Sequence, residues 1–305
     1  MGNFGKLSSL RCGTALSAAV LVLMGAQAHA GDDSALKTDT KDKTQYTLFR
    51  PTPDSMLRDL STDRPDATES PFTVDAGRFQ FETQLFGFAR SRADAAGVVT
   101  NSYEIGTTNL RIGLTHNSEF NFIWQPYGAV RTRDPSGPVP RQSGVGGVDL
   151  RAKINIWGND NFERPGSTAL ALLPYVSLPT DRNNGVSPEH VEAGIIVPFA
   201  IVLTDKFGLG LNAVVSAVRN ETGIGTHAEW STSASLSYAW SDKLGTYYEV
   251  GARFGLDGGL GDIVFVGTGV TYKLSKNMQL DAGINVGLTD AADRVNPFVG
   301  ISMRY

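Results

Sequence analysis

The residues of this chain that could do chemistry are few and lie far apart. Beyond the N-terminal region the histidines are His116, His190 and His227, and the only cysteine is Cys12. No two of these histidines are close in sequence, so the spacing typical of a metal site is absent. The triplet His116-Asn117-Ser118 has residue types found in serine hydrolases, but no acidic residue is placed to orient its imidazole. Asn and Ser are favoured in turns, and we interpret the triplet as a turn.

No glycine-rich phosphate loop follows a strand and opens a helix. We therefore expect no cofactor, no metal and no enzymatic activity. A hydrolase embedded in the outer membrane stays open as an alternative, because one sequence does not exclude it.

Charged side chains, in contrast, recur at alternate positions of apolar segments. Between residues 148 and 156, for example, Asp149, Arg151 and Lys153 alternate with apolar residues, which is the period of a β-strand. Such residues would share one wet face, where they either pair across strands or form a mixed-charge constriction that filters small solutes. The set expected to face this lumen comprises Glu82, Arg111, Asp149, Arg151, Lys153, Glu249, Arg253, Asp281 and Arg304.

The elements that must position these residues are clearest in residues 230–240, WSTSASLSYAW. Even positions are mostly apolar, with Trp230 and Trp240 at the two ends, whereas odd positions are mostly serine. Ten steps of roughly 3.3 Å, tilted by about 40°, rise roughly 25 Å, the height of the apolar band of an outer-membrane barrel. A half-buried strand of a soluble sandwich would show similar alternation, so recurrence of the pattern decides between the two.

The pattern recurs along the chain without an intervening helix, and the connections alternate between short turns and longer loops. This arrangement predicts an all-β fold, a transmembrane antiparallel up-and-down β-barrel of about twelve strands over residues 77–305. The one misfit is 158–166, nine residues where a tight turn is expected. The expected strands lie near residues 79–85, 110–114, 120–125, 148–156, 168–178, 191–201, 207–212, 230–240, 248–254, 264–272, 280–286 and 299–305.

Two local features complicate the two-face pattern. Glu104 shares the parity of the apolar residues Leu110 and Ile112, so it either lies above the membrane or follows a bulge that resets the register. Glycines collect on the inner parity of the last strands, where they allow curvature and close packing or leave a lane free of side chains. The glycines concerned are Gly251, Gly267, Gly269, Gly283, Gly287 and Gly300.

The first 30 residues are predicted to be a cleaved signal peptide. Lys6 and Arg11 precede an apolar run at 14–25, and Ala28 and Ala30 form a small-residue cleavage site. Loss of Lys6 and Arg11 would take the net charge from −4 to −6, which argues against nucleic acid as a partner. The mature chain would contain no cysteine, which excludes a disulfide scaffold.

The C-terminal strand has the features of a sorting signal for an outer-membrane barrel. Val299, Ile301 and Met303 alternate with small or polar residues, and the chain ends on Tyr305. We expect this strand to be recognised by the barrel-assembly machinery. The expected location is therefore the cell outer membrane, with outer-membrane lipid as a partner and a monomeric barrel.

Residues 31–76 are predicted to form a periplasmic extension that contains a compact charged stretch. Asp63, Arg64, Pro65, Asp66 and Glu69 lie between a polar leader and the first strand. The interior of a twelve-stranded barrel is too wide to be filled by the side chains of its own strands. Residues 62–69 could therefore fold into the lumen as a partial plug. An exposed connector, kept extended by its prolines, is the alternative.

The same region carries a family resemblance. TDRPD at 62–66, SPFTV at 70–74 and GRFQFET at 77–83 resemble the opening of the outer-membrane family named for the meta-cleavage pathway of phenol degradation. GVGGVDLRAKI at 144–154 and ALLPYVSLPTD at 171–181 resemble that family as well. The resemblance implies a transporter and makes aromatic or other sparingly soluble compounds the expected cargo.

Together, the residues and the resemblance predict an outer-membrane channel that passes small solutes passively. The charges of the lumen and the implied cargo support this function. Two alternatives stay open beside it, a structural or lipid-binding barrel without transport and the membrane-embedded hydrolase.

Overall fold

The computed structural model describes residues 42–220, 224–255 and 262–305. The predicted signal peptide, with Ala28 and Ala30, lies outside the described residues, as does the loop predicted at 256–261. A single helical turn, Asp54–Met56, is present, and no helix in the described part is long and apolar enough to cross a membrane. The remaining regular structure is β: β1 (Phe79–Arg90), β2 (Val99–Ile105), β3 (Thr107–Thr115), β4 (Ser118–Trp124), β5 (Tyr127–Asp134), β6 (Gly137–Pro138), β7 (Gln142–Gly144), β8 (Val148–Trp157), β9 (Thr168–Leu178), β10 (Glu192–Val202), β11 (Phe207–Arg219), β12 (Thr226–Ala239), β13 (Leu244–Gly255), β14 (Ile263–Ser275), β15 (Met278–Gly287) and β16 (Asn296–Arg304).

These segments form a closed antiparallel barrel of 12 strands. β2 and β3 are two parts of one barrel strand, β4 and β5 are two parts of the next, and β6 and β7 lie in the following loop. Each strand pairs with its neighbour in sequence, and β1 also pairs with β16, where Gln80 lies opposite Arg304 and Gly87 opposite Phe298. This pairing leaves no open sheet edge, as a membrane-spanning sheet requires.

The distribution of polarity is the reverse of that in a water-soluble barrel. Large apolar side chains such as Trp230, Tyr248 and Val250 are exposed on the outside, whereas the fully buried side chains include Arg111 and Lys153. An apolar outer band that ends in aromatic residues fits lipid, and a polar interior fits a lumen. The chain is therefore an outer-membrane barrel, with the short turns taken as its periplasmic end.

The predicted strand count is confirmed, and the structure adds detail that the alternation did not indicate. β2 and β5 extend the wall where loops or no element were expected. Gly106 separates β2 from β3 with a φ of 75°, a conformation that breaks the alternation. A second irregularity, between Gln84 and Phe86 on β1, lies beside it. The parity of β2 is thus shifted relative to β3, which hid the strand.

The shifted parity also explains Glu104. Its carboxylate accepts a hydrogen bond from Gln84 Nε2 at 2.8 Å, which places it on the same inner side as that residue. A reset register, rather than a position above the membrane, therefore describes this glutamate.

Candidate functional site

Residues 61–75, here called the inner segment, lie against the inner faces of strands from both halves of the barrel. Their polar partners come from β1, β3, β8, β12, β13 and β15, which together span most of the circumference. The segment begins and ends at the periplasmic end, because it is followed directly by β1. It contains all five residues of the charged stretch predicted at 62–69.

The first attachment of the inner segment is an ion pair at Asp63. Lys153 Nζ, fully buried on β8, lies 2.6 Å and 2.8 Å from the two carboxylate oxygens of Asp63. The backbone N–H groups of Asp63 and Arg64 both donate to the Glu82 carboxylate, at 3.0 Å and 3.1 Å. Charge-assisted bonds of this kind are the stronger ones, and here they are shielded from water.

Arg111 extends this attachment towards the periplasmic end. Its guanidinium is fully buried and donates to Glu119 at 2.9 Å, to Glu82 at 2.8 Å and to the backbone carbonyl of Phe72 at 2.7 Å. Glu119 in turn accepts a hydrogen bond from the backbone N–H of Val74 at 2.6 Å. We call Asp63, Glu82, Arg111, Glu119 and Lys153 the buried ion network.

A second attachment is made by Arg64. Its guanidinium lies 2.8 Å from the Asp281 carboxylate on β15 and 5.7 Å from the centre of the Phe298 ring. Gly300 on β16 lies beneath it, and a Cβ at that position would collide with the guanidinium. Of the two roles considered for the glycines of the last strands, room for the segment therefore applies at Gly300. Gly251, Gly269 and Gly283 instead pack against neighbouring aromatic rings.

The opposite side of the inner segment is held by fewer charges. Thr68 Oγ1 donates to Glu249 at 2.6 Å and lies 2.8 Å from Ser233 Oγ, while the N–H of Ala67 donates to Glu249 at 3.0 Å. Nearer the extracellular end, Arg151 lies 2.6 Å from Glu69. The contact of residues 67–68 with Ser233 and Glu249 thus has no compensating cation.

The long connection at 158–166, which did not fit the expected tight turn, holds the periplasmic base of the segment. Arg58 donates to Asp160 at 2.8 Å, Asn159 donates to Thr73 at 2.8 Å, and Phe162 packs on Phe72 with ring centres 4.7 Å apart. Burial opposes ionisation of Asp160, but hydrogen bonds and charge from Arg58 and Lys43 hold the pKa of its carboxyl below the usual range. The extra residues of this turn therefore act as a clasp.

The other residues expected in the lumen occupy different depths. Asp149 and Arg151 form an ion pair at 2.9 Å near the extracellular end, and the half-exposed Arg253 approaches Glu229 at 3.8 Å. Arg304 lies at the periplasmic rim, where it donates to Asn277 Oδ1 at 2.8 Å and to the backbone carbonyl of Arg58 at 2.8 Å. The lumen-facing charges therefore form several separate groups rather than one constriction.

Several important residues were not among those singled out from the sequence. Glu119 lies on the polar parity of β4, so its direction was predictable, but its depth and its partner Arg111 were not. Glu229 lies on the extracellular end of β12, which begins four residues earlier than the alternation indicated, and Glu192 is the first residue of β10. Alternation predicts whether a side chain faces the lumen or the lipid. It does not predict which side chain of another strand lies next to it.

The triplet at 116–118 is part of the turn between β3 and β4. Ser118 Oγ lies 2.6 Å from Thr115 Oγ1, and the Asn117 side chain accepts from that same threonine at 3.0 Å. These bonds belong to the turn, and none of them joins Ser118 to the His116 ring. Within the described ranges, no group of His, Cys, Asp or Glu side chains could hold a metal ion.

Three cavities follow one another between the inner segment and strands β10–β14. An extracellular cavity of about 500 Å³, here called the vestibule, is bounded below by Ala67 and Glu69. A cavity of about 180 Å³ lies beside Asp66 to Phe72 and shares Glu69 with the vestibule. A periplasmic cavity of about 380 Å³ follows and shares Asp66 with the middle one. The segment is thus attached through charge on one side and bordered by open space on the other.

The chain is similar in structure to several solved outer-membrane proteins, and the first of them agrees with the barrel architecture. A crystal structure of an outer membrane channel from Pseudomonas putida F1 matches with a TM-score of 0.60 at 12% identity, over 80% of this chain and 100% of that one. The transport unit of the autotransporter AIDA-I from Escherichia coli gives a TM-score of 0.48 at 10% identity, over 83% and 94% of the two chains. The NanC porin gives 0.44 at 8% identity, over 73% and 98%.

No curated protein matches the chain in sequence. A family model, however, matches residues 62–305, from the inner segment to the last strand. Its description is "Putative MetA-pathway of phenol degradation". The match covers most of the chain, and this outer-membrane barrel therefore belongs to the phenol-degradation family.

Proposed function

We propose that this barrel is a channel that passes small solutes passively across the outer membrane, along the side of the lumen lined by β10–β14. The observation that carries the proposal is the line of three cavities between the inner segment and that wall. A polar path through an apolar band is what a solute needs to cross the bilayer. The solved channel from Pseudomonas putida F1 has the same type of barrel, which supports the proposal by analogy.

The inner segment is the plug of this channel. Its attachments on the β1–β8 and β15 sides are ion pairs, whereas residues 67–68 meet Ser233 and Glu249 through hydrogen bonds without a cation. The second contact separates the vestibule from the periplasmic cavity. A solute would pass when residues 66–68 move away from β12 and β13 while Asp63, Arg64 and Glu69 stay attached.

The cargo we propose is small aromatic or otherwise sparingly soluble compounds. This part of the proposal rests on family membership, since the description of the family names phenol degradation. A screen of growth and liposome swelling over candidate solutes would identify the cargo.

The experiment for the channel compares the wild-type protein with a variant whose residues 62–69 are replaced by a Gly/Ser linker. In planar bilayers the wild type should give small ohmic steps, and the linker variant larger steps with a noisier open state. Liposome swelling with uncharged polyols should be faster for the variant. Unchanged conductance in a correctly folded variant would contradict the plug, and silence of both proteins would favour a structural or lipid-binding barrel.

A disulfide lock tests the proposed site of passage. Thr68→Cys combined with Ser233→Cys places two thiols where the hydroxyl oxygens are 2.8 Å apart. Oxidation should reduce conductance, and reduction should restore it, because the only native cysteine is Cys12 in the predicted signal peptide. The control pair is Thr83→Cys with Thr108→Cys, which joins two wall strands at 3.0 Å and should leave conductance unchanged.

A further inference from the structure

The vestibule carries an excess of negative charge. Arg151 is shared by Glu69 and Asp149, at 2.6 Å and 2.9 Å, so two carboxylates face one guanidinium. Arg253 is matched by Glu229 at 3.8 Å. Glu192 also lines the vestibule, and its carboxylate makes no hydrogen bond or ion pair with any residue that the structure describes. Two carboxylates are therefore left without a compensating cation.

The periplasmic cavity has the opposite sign. Lys206, Lys243 and Lys273 line it, and none of the three forms an ion pair within the described ranges. The carboxylates on the same lining are Asp66 and Asp242. Arg64 also lines this cavity, but its charge is matched by Asp281. One positive charge remains in excess.

We infer that the two cavities form a charge filter in series that favours uncharged solutes. An anion is repelled at the vestibule, whereas a cation that enters the vestibule is repelled at the periplasmic cavity. An uncharged solute meets neither barrier. Rings of charged side chains set selectivity in channels, and two rings of opposite sign exclude both kinds of ion. The inference rests on the proposed channel and adds the charge class of its cargo.

The vestibule also offers apolar surface to such a solute. Ile196, Val214 and Phe265 face it from three different strands, beside the hydroxyl groups of Ser231 and Ser233. A small uncharged molecule with one apolar and one hydrogen-bonding side would find both kinds of partner there. This surface is consistent with the charge filter, because apolar and hydroxyl groups bind uncharged solutes.

The test measures ion selectivity from reversal potentials in a KCl gradient, together with swelling in uncharged polyols. The wild type should show low ion conductance and little preference for either sign. Lys243→Glu combined with Lys273→Glu makes both cavities negative, and the cation-to-anion permeability ratio should rise about tenfold, which corresponds to about 1.4 kcal/mol. Glu192→Lys should shift the ratio towards anions. Both shifts should weaken in 1 M salt, where the Debye length falls to about 3 Å.

The matched control is Asp290→Lys, which makes the same charge change as Glu192→Lys in an exposed loop outside both cavities. It should leave the permeability ratio unchanged. If Lys243→Glu with Lys273→Glu and Glu192→Lys all swell normally but leave the permeability ratio unchanged, the filter is overturned and the channel stands. Strong selectivity of the wild type for cations or for anions would have the same meaning. Absence of swelling in the wild type would overturn the channel and the filter together.

Discussion

At the scale of single residues, the buried ion network fixes where the inner segment lies. Arg111 and Lys153 are fully buried, and each has a carboxylate partner within 3 Å. Removing such groups from water costs free energy, so a buried pair does not by itself make a protein more stable. Removing one partner is costly, however, because the other charge is left uncompensated in the interior. The network therefore specifies a position more than it adds stability.

The first prediction at this scale concerns Lys153→Met, which leaves Asp63 without its closest cation. We expect docking of the inner segment to weaken by about 3–5 kcal/mol, the usual effect of breaking a buried pair. In folded barrels the variant should become sensitive to a glutamate-specific protease at Glu69, where the wild type resists. Lys273→Met is the control, because Lys273 has no ion pair among the described residues. Equal protection of both variants would show that the pair does not hold the segment.

The sequence allowed a prediction of which charged residues face inward but not of their grouping. Asp63 and Lys153 were both among the candidate residues, but nothing in the sequence paired them. The structure gives Asp63 a lysine on β8 at 2.6 Å and places Arg111 further away, at 3.3 Å. Depth along the barrel axis decides such pairs, and depth depends on register between strands that are distant in the chain.

At the scale of elements, the strands are organised by their two faces. On β12, Trp230 and Leu236 belong to the outer parity, and Trp240 continues that parity just after the strand, while Ser231 and Ser233 contact the lumen. β12 pairs with β11 and β13 without interruption, so this assignment holds along its whole length.

The prediction for this element compares Ala234→Arg with Ser231→Arg. Ala234→Arg places a charge near mid-bilayer on the lipid side, which should lower the free energy of unfolding by about 2–4 kcal/mol. Ser231→Arg adds the same side chain to the acidic vestibule and should fold nearly normally. Urea unfolding in lipid vesicles measures both. If both variants lose the same free energy, the assignment of faces on β12 is wrong.

Regular strands were predictable because alternation is local, whereas the exceptions depend on tertiary contacts. Gly106 changes the parity between β2 and β3, so the alternation of one half contradicts that of the other. The turn at 158–166 is long because it clasps residues near Thr73, which lie more than 80 positions earlier. Nothing near that turn in the sequence indicates this partner.

At the scale of the whole molecule, the fold class and the outer-membrane location were predictable from the sequence. Both depend on the number of strands and on the alternation of short and long connections. These two features can be predicted correctly even when the register of a strand is wrong by a residue or two. The separation of charge between the two ends was not predictable. This separation depends on which charged residues, at the ends of different strands, line the same cavity in the closed barrel.

The whole-molecule prediction concerns export and closure. The mature protein should begin at Gly31, after cleavage following Ala30, and should fractionate with the outer membrane. Closed barrels often resist detergent until heated, so unheated samples should migrate faster in gels than boiled ones. Intact mass and fractionation provide the measurements. Recovery of the protein in the soluble periplasm would contradict the location, and an uncleaved mass would contradict the signal peptide.

The binding partners of the inner segment are spread along the chain that follows it. Residues 61–75 are synthesised before every barrel strand, yet Lys153, Glu249 and Asp281 belong to β8, β13 and β15, and Gly300 seats Arg64 from β16. The segment can reach all of them only after the last strand has joined the first. Until then its charged side chains lack their partners on the wall, and closure of the barrel supplies them. Docking of the segment thus distinguishes a closed barrel from an unfinished one.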